Sequence, residues 1–346
     1  MENEQQKTLV ANISEIPRQK ILDSKTPLIP LEVLSERLNI NLWMKRDELA
    51  GPTFGGNKAR QLEYYFGAAL DQNADTILIT GAIQSNFVRL AAACAARFGM
   101  KPIVQLEHRV AKSDMMYQQS GNVLLNQIIG AEILYYPEGE DEDGADAVLY
   151  EKAEELVKQG RNPYVIPLSP HKPPLGALGY VRCAEEIVSQ QISQFDYVVV
   201  GSGSGATHLG LAAGMKTYSP STQVIGSCVR RDKDLQAERL SHLRHLFNSL
   251  VKMPDFLSQS DIHLWDKALA PGYGQFGKLG PPALKLMAQS EGHILDPVYT
   301  AKSFAAIPSL VDDGSISEGS RVLFLHTGGS AGLFAYQNDI QNLFTT

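Results

Sequence analysis

One lysine and three glycine-rich loops are the parts of this chain best suited to chemistry. Gly51-Pro-Thr-Phe-Gly-Gly-Asn-Lys58 is a tight glycine turn that presents Lys58 to an apolar run (Ala59, Leu62, Tyr65, Phe66) at helical spacing. A helix N-terminus disfavours an ammonium, and desolvation pushes the same way, toward a neutral, nucleophilic amine. Gly201-Ser-Gly-Ser-Gly-Ala-Thr207 follows the apolar run Tyr197–Val200 and leads into a helix. Gly203, Ser204, Gly205, Ala206 and Thr207 can offer successive backbone N–H groups and two hydroxyls to a phosphate. The loop lacks the Gly-Lys-Ser/Thr ending of a nucleoside triphosphate site, and Ala206 stands where a dinucleotide fingerprint has its last glycine. Gln84-Ser85-Asn86 opens an Ala-rich helix, so Ser85 and Asn86 are either plain caps or holders of a carboxylate and a phenolic oxygen. Tyr273 and Tyr299 sit in loops flanked by Gly or Pro, and the Thr327 hydroxyl could face a heterocyclic nitrogen.

A lysine poised for imine formation beside a monophosphate cup implies pyridoxal 5′-phosphate. The lysine holds the aldehyde, the phosphate anchors the ring, and the protein tunes the ring nitrogen.

The elements needed to position these groups alternate along the chain. Short apolar runs at 76–80, 102–106, 131–136, 164–167, 197–200, 223–229 and 321–326 read as strands, with helices between them at 87–98, 121–129, 148–159, 178–191, 208–215 and 232–251. This β/α alternation predicts parallel sheets with helices on both faces. In such sheets ligands bind beyond the carboxyl ends of the strands, so the loops at Gly81, Gly201 and Gly328 are expected to share one cleft. The acidic stretch Glu138–Asp146 reads as a solvated loop, and Arg46-Asp47-Glu48 as the polar exit of the strand 40–45.

The chain has 346 residues and a net charge of −7, without a long basic block, which argues against nucleic acid as the main partner. No apolar run approaches the length of a membrane span, and residues 1–25 lack the pattern of a secretory signal. Cys94, Cys183 and Cys228 are far apart in apolar runs, which predicts buried free thiols in a reducing cytoplasm and no metal site.

Lys45-Arg46-Asp47, Gly55-Gly-Asn-Lys58-Ala-Arg60-Gln-Leu-Glu63, Gly81-Ala-Ile-Gln-Ser-Asn86, Gly272-Tyr273-Gly274, Asp296-Pro-Val-Tyr299 and His326-Thr-Gly-Gly329, in that order, resemble the D-cysteine desulfhydrase / 1-aminocyclopropane-1-carboxylate (ACC) deaminase family. The resemblance runs from about Thr26 almost to the C-terminus. It implies an α/β protein of PLP-dependent fold type II, the tryptophan-synthase-β type, with two open, mostly parallel sheets flanked by helices. It further implies a large domain from 1–59 and 176–346, a smaller inserted domain from 60–175, and a homodimer. By the same resemblance Lys58 is the cofactor lysine and the base at the substrate α-carbon. Asn86 holds the phenolic oxygen, Ser85 the substrate carboxylate, and the Gly203–Thr207 loop the phosphate. Tyr273, Tyr299 and Phe87 line the substrate side.

Within the family, Thr300 stands where members acting on ACC are expected to have Glu, and Thr327 where they tend to have an apolar residue. A carboxylate near the ring nitrogen keeps it protonated for ring opening, and a hydroxyl cannot. The resemblance therefore implies elimination from a β-substituted amino acid, foremost D-cysteine to pyruvate, ammonia and hydrogen sulfide. The alternatives are ACC deamination, elimination from D-serine, β-chloro-D-alanine or cysteate, and cofactor binding without turnover. Phe87 replaces a His or Gln and makes the pocket more apolar. The segment Ser169-Pro-His-Lys-Pro-Pro174 is stiffened by its prolines. Its His171 and Lys172 either face the cleft and suit an acidic side chain, or belong to a solvated loop, which is the favoured reading.

Overall fold

The computed structural model describes residues 4–190 and 193–343. It contains two sheets. The strands are β1 (Leu28–Pro30), β2 (Asn41–Lys45), β3 (Thr76–Ala82), β4 (Lys101–Glu107), β5 (Glu132–Tyr136), β6 (Pro163–Ile166), β7 (Tyr197–Ser202), β8 (Gln223–Cys228), β9 (His263–Trp265) and β10 (Arg321–Leu325). One sheet has the order β5-β4-β3-β6 and is parallel throughout. The other has the order β1-β2-β10-β7-β8-β9, parallel except for the antiparallel edge pair β1–β2. The alternation legible in the sequence thus becomes two open sheets flanked by helices. The four-stranded one is built wholly from 76–166, and the six-stranded one from chain on either side of it.

The central strands are buried on both faces. Every residue of β3 is buried, as are Val198, Val199, Val200, Val322, Leu323, Phe324 and Leu325. That is why they read as continuous apolar runs rather than alternating ones. The Lys58–Asp71 helix joins the two halves, packing against the helices Asn86–Arg97 and Leu175–Gln190. The last predicted residue of that second helix, Gln191, lies outside the described residues. The N-terminal stretch, without an element in the sequence reading, forms a helix Glu4–Ser14 whose Leu9 and Ile13 join a core cluster with Tyr64 and Leu178.

Two polar stretches depart from expectation. The segment 138–146 is not wholly a solvated loop. Glu138, Glu140, Asp141 and Asp143 are exposed, but a helix starts at Glu142, and both Glu142 and Asp146 are buried. Asp141 caps that helix by accepting the Gly144 N–H at 2.9 Å, and carboxylates in a first turn suit the helix dipole. The counter-charges come from far along the chain. Arg239 reaches Glu142 at 2.7 Å, Arg231 at 3.1 Å, and Arg230 is in closer contact still. Asp146 accepts the backbone N–H groups of Leu168 and Ser169. The expected polar exit at Asp47 is likewise a fully buried carboxylate. Arg60 reaches it at 2.8 Å, and Tyr180 and Thr26 donate hydroxyls to it at 2.6 and 2.7 Å.

Candidate active site

The carboxyl ends of β3, β4, β7, β8 and β10 open onto one cleft between the two sheets. The loops at Gly81, Gly201 and Gly328 all reach it, together with Lys58. Lys58 is the first residue of its helix. The glycines around it are required by close packing of loop on loop. Gly56 and Gly328 both have positive φ, and a Cβ at Gly328 would lie 2.9 Å from Gly56 Cα. Thr53 and Phe54 also adopt positive φ, which is strained for residues with a side chain. Arg89 holds this strained turn. It is wholly buried and donates to the carbonyls of Thr53 and Gly55 (the latter at 3.1 Å).

Lys58 Nζ has one polar contact of note, Gln61 Oε1 at 3.5 Å, and stands 5.3 Å from the centre of the Phe87 ring. Among the described residues no carboxylate pairs with it. Burial lowers its pKa to about 8, so a substantial neutral fraction exists near physiological pH. Phe87 thus lines the cleft beside the amine rather than supplying a polar contact.

Ser85 caps the Asn86–Arg97 helix, accepting the Val88 N–H at 3.3 Å, and it also lines the cleft. The two readings of this residue are compatible. Asn86 Oδ1 accepts from Asn122 Nδ2 at 3.0 Å and from Arg89 at 3.4 Å, which leaves the Asn86 amide N–H₂ as the donor for a ligand. The Gly203–Gly205 loop ends at Gly205, whose φ of 102° begins the Ala206–Tyr218 helix. Thr207 Oγ accepts from Asn57 at 2.9 Å and from Gln61 at 2.8 Å. With both acceptor positions filled, its own hydrogen is left to donate. A helix N-terminus with such a hydroxyl fits an anion such as a monophosphate. Ala206 opens the helix but does not itself line the cleft, unlike the other predicted residues of that loop.

Thr327 lines the cleft, and its carbonyl accepts the Asn57 N–H at 2.9 Å. His326 is buried beneath it. Its Nδ1 accepts the Gly328 N–H at 3.2 Å, so Nε2 carries the proton toward the Ile294 carbonyl at 3.0 Å. The Tyr273 and Tyr299 hydroxyls are in direct contact on the opposite wall. Burial raises the pKa of both phenols, and the neighbouring Tyr273 adds to the rise at Tyr299. Both are therefore protonated at neutral pH, and one hydroxyl hydrogen of the pair remains free for a third group.

Thr300 is a correction. It was expected to face the ring, but it is wholly buried and does not line the cleft. Its hydroxyl donates to Asp296 Oδ1 at 2.7 Å and accepts the Asp296 N–H at 2.6 Å. The Asp296 carboxylate also takes the N–H groups of Val298, Tyr299 and Thr300, a turn that fixes Tyr299. His171 and Lys172 are exposed and lie outside the cleft lining, as the solvated-loop reading expects.

Among the cleft or cleft-supporting residues that the sequence reading missed, three stand out. Arg109 follows β4 and Arg230 follows β8, and both line the cleft. The carboxyl-end rule that located the glycine loops applies equally to these two positions. The third is Lys302, buried and bonded to the carbonyls of Leu269 (3.0 Å) and Gly272 (2.7 Å), which holds the loop bearing Tyr273. Its interior placement lowers its pKa to about 8.

A lysine sharing one cleft with a glycine-rich helix N-terminus suited to an anion defines an enzyme class that works through a phosphorylated aldehyde. The chain belongs to the pyridoxal-phosphate dependent enzyme family, whose model matches residues 21–328. It is 37% identical over 335 residues to a D-cysteine desulfhydrase of Yersinia pestis (strain Pestoides F), covering 96% of this chain and 100% of that one. It is 38% identical over 327 residues to a D-cysteine desulfhydrase of Salmonella choleraesuis (strain SC-B67), covering 94% and 98%. The crystal structure of an ACC deaminase homologue superposes with a TM-score of 0.86 at 33% identity, covering 97% of this chain and 99% of that one. A threonine deaminase isoform from Solanum lycopersicum shares the fold alone, with a TM-score of 0.68 at 16% identity. Among the described residues no helix is long and apolar enough to cross a membrane.

Proposed function

We propose that this protein is a pyridoxal-phosphate-dependent lyase that catalyses α,β-elimination from a small β-substituted amino acid, with D-cysteine giving pyruvate, ammonia and hydrogen sulfide. The observation that carries the reading is the convergence of Lys58, the Gly203–Thr207 helix N-terminus and Ser85-Asn86 on one cleft. The names of the relatives supply D-cysteine as the first substrate to test.

When bound, the cofactor serves as the electron sink for a negative charge at the substrate α-carbon. The chain supplies the rest. Lys58 would hold the cofactor, and its amine, which burial shifts toward the neutral form, would take the α-proton once displaced from the cofactor. The N–H groups of the Gly203–Gly205 loop and the Thr207 hydroxyl hold the phosphate. Asn86 donates its amide to the phenolic oxygen, and Ser85 with the N-terminus of its helix holds the substrate carboxylate. Thr327, which lines the cleft, would offer the ring nitrogen a neutral hydroxyl. The Tyr273–Tyr299 pair donates its free hydrogen on the substrate side.

Among the described residues no Asp or Glu lines the cleft, so none of them is placed to keep a ring nitrogen protonated. That favours loss of a β-substituent over opening of an ACC ring, because the leaving group itself drains the charge. Two sheets meeting at the cleft fit a large domain (1–59 and 176–346) with a smaller one (60–175) inserted. We assign the protein to the cytoplasm as a homodimer on its buried free cysteines and family type.

The purified protein is expected to be yellow, and Lys58→Ala to lose the imine absorbance and about 10³-fold or more of the elimination rate. Pyruvate with sulfide from D-cysteine supports the assignment. 2-Oxobutanoate from ACC in its place, or a colourless protein that takes up no cofactor, overturns it.

A further inference from the structure

The two cleft tyrosines come from separate stretches of chain, and one short segment, 296–302, reaches both. At its start the Asp296 carboxylate takes the N–H groups of Val298, Tyr299 and Thr300, and so fixes Tyr299. At its end Lys302 turns toward the other tyrosine. It is wholly buried, lines no part of the cleft, and donates to the carbonyls of Leu269 at 3.0 Å and Gly272 at 2.7 Å. Residues 266–279, which carry Tyr273, form no helix or strand, so their carbonyls need partners from elsewhere. On the far side of Tyr273 the Tyr336 hydroxyl supplies one, to Gly274 at 2.9 Å.

The partners of this ammonium set it apart. Lys45, also wholly buried, pairs with the Glu186 carboxylate at 2.5 Å. Among the described residues no carboxylate forms an ion pair with Lys302, and Asp296 acts on it only from a distance. Its acceptors are main-chain carbonyls of a single loop. A buried ammonium is costly unless its donors are met. Here backbone oxygens meet them, in the way that carbonyls replace the water shell of a bare monovalent cation. With a pKa of about 8, Lys302 keeps its charge at pH 7.

We propose that Lys302 is a positioning residue for the elimination: its ammonium serves as a tethered interior cation that fixes the loop around Tyr273 and so sets the Tyr273 hydroxyl against that of Tyr299. This rests on the eliminase reading above and adds to it a residue that touches neither substrate nor cofactor. Without the charge the carbonyls of Leu269 and Gly272 lose their donor and the loop relaxes. The tyrosine pair then no longer directs one hydrogen to the substrate side. Because the cation is part of the chain, no free monovalent cation is needed to hold this loop. Truncating the side chain leaves a carbonyl-lined space that a small ammonium or a potassium ion can enter.

The test compares the cofactor-loaded full chain with its Lys302→Ala and Lys302→Met variants, using D-cysteine and β-chloro-D-alanine as substrates. Wild type is expected to work equally well in lithium, sodium, potassium or choline chloride at one ionic strength. Lys302→Ala should lose about 10- to 100-fold in kcat, the scale of lost charge-assisted hydrogen bonds, with a smaller change in KM. Ethylammonium or potassium should restore it, and the bulkier choline should not. In the cofactor-free alanine variant the same small cations should raise the melting temperature, as any ligand of the folded state does, and leave that of wild type unchanged. Lys302→Met, filled but neutral, should stay impaired in every salt. Should the alanine variant fold poorly, Lys302→Met decides through a double-mutant cycle, in which its loss does not add to that of Tyr273→Phe. The proposal is overturned by full activity in Lys302→Met, by additive losses in that cycle, or by a cofactor-loaded Lys302→Ala that responds to no cation. A wild type that depends on a free monovalent cation overturns it as well. A wild type that turns over neither substrate overturns the eliminase reading instead, and the melting-temperature response then still decides the cation site.

Discussion

Two buried ionic clusters flank the cleft, and they are built differently. Behind the Lys58 helix, Lys45 and Arg60 meet Asp47 and Glu186, two cations against two carboxylates. Thr26, Tyr180 and Gln190 fill the remaining donor and acceptor positions. None of these side chains lines the cleft, and no buried polar atom among them is left without a partner. On the other wall, Arg230, Arg231 and Arg239 surround one buried carboxylate, Glu142. There the cations outnumber the buried anion, Arg230 Nε is unsatisfied, and Arg230 faces the cleft. A closed, charge-matched cluster can only organise the chain around it. A cation-rich one leaves uncompensated positive charge beside the cleft.

The comparison breaks most visibly at Asp47. Asp47→Ala leaves Arg60 and Lys45 buried against one carboxylate, and removing one partner of such a cluster costs about 3–5 kcal/mol. Urea unfolding should show this loss of stability, in a variant whose cleft arginines are untouched. A stability close to wild type would mean that the cluster is not the clamp described here.

Acidification sharpens the contrast at the other wall. The three neighbouring arginines outweigh the cost of burial and bring the Glu142 pKa down to about 2 from the ordinary 4.5. A carboxylate depressed in the folded state contributes stability that is fully present above pH 4.5 and is lost as pH falls toward 2. Glu142→Gln should therefore be less stable than wild type at neutral pH, with the difference shrinking below pH 4.5. Parallel stability–pH curves for the two proteins would contradict the pairing.

The smallest expected effect is at Ser85, a plain cap in one role and a carboxylate holder in the other. Ser85→Ala should cost about 1 kcal/mol of stability through the lost cap. It should also raise KM for the amino acid more than it changes kcat. A change in stability with KM unaltered would leave Ser85 as a cap alone.

How much of this was legible in advance varied residue by residue. Lys58, Ser85, Asn86 and the Gly203–Thr207 loop were readable because each lies at the start of a helix, where local turn chemistry and helix periodicity announce the geometry. Thr300 was misplaced because its position beside Tyr299 in sequence says nothing of which way a buried hydroxyl turns. The Asp296 turn decides that, by capturing it at 2.7 Å. Glu142 was read as solvated because its counter-charges lie 88 to 97 residues further on. Arg109 and Arg230 were missed because a single arginine after a strand has no glycine pattern to draw attention to it.

The sequence by itself determined the alternation of strands and helices, the parallel sheets, the cleft at their carboxyl ends and the amine at a helix start. All of these follow from spacing within short stretches. Only the tertiary structure decided which charges are matched and which are left open. Matching depends on atoms brought within about 3 Å from chain segments that carry no sign of each other, at a separation where hydrogen bonding is decided.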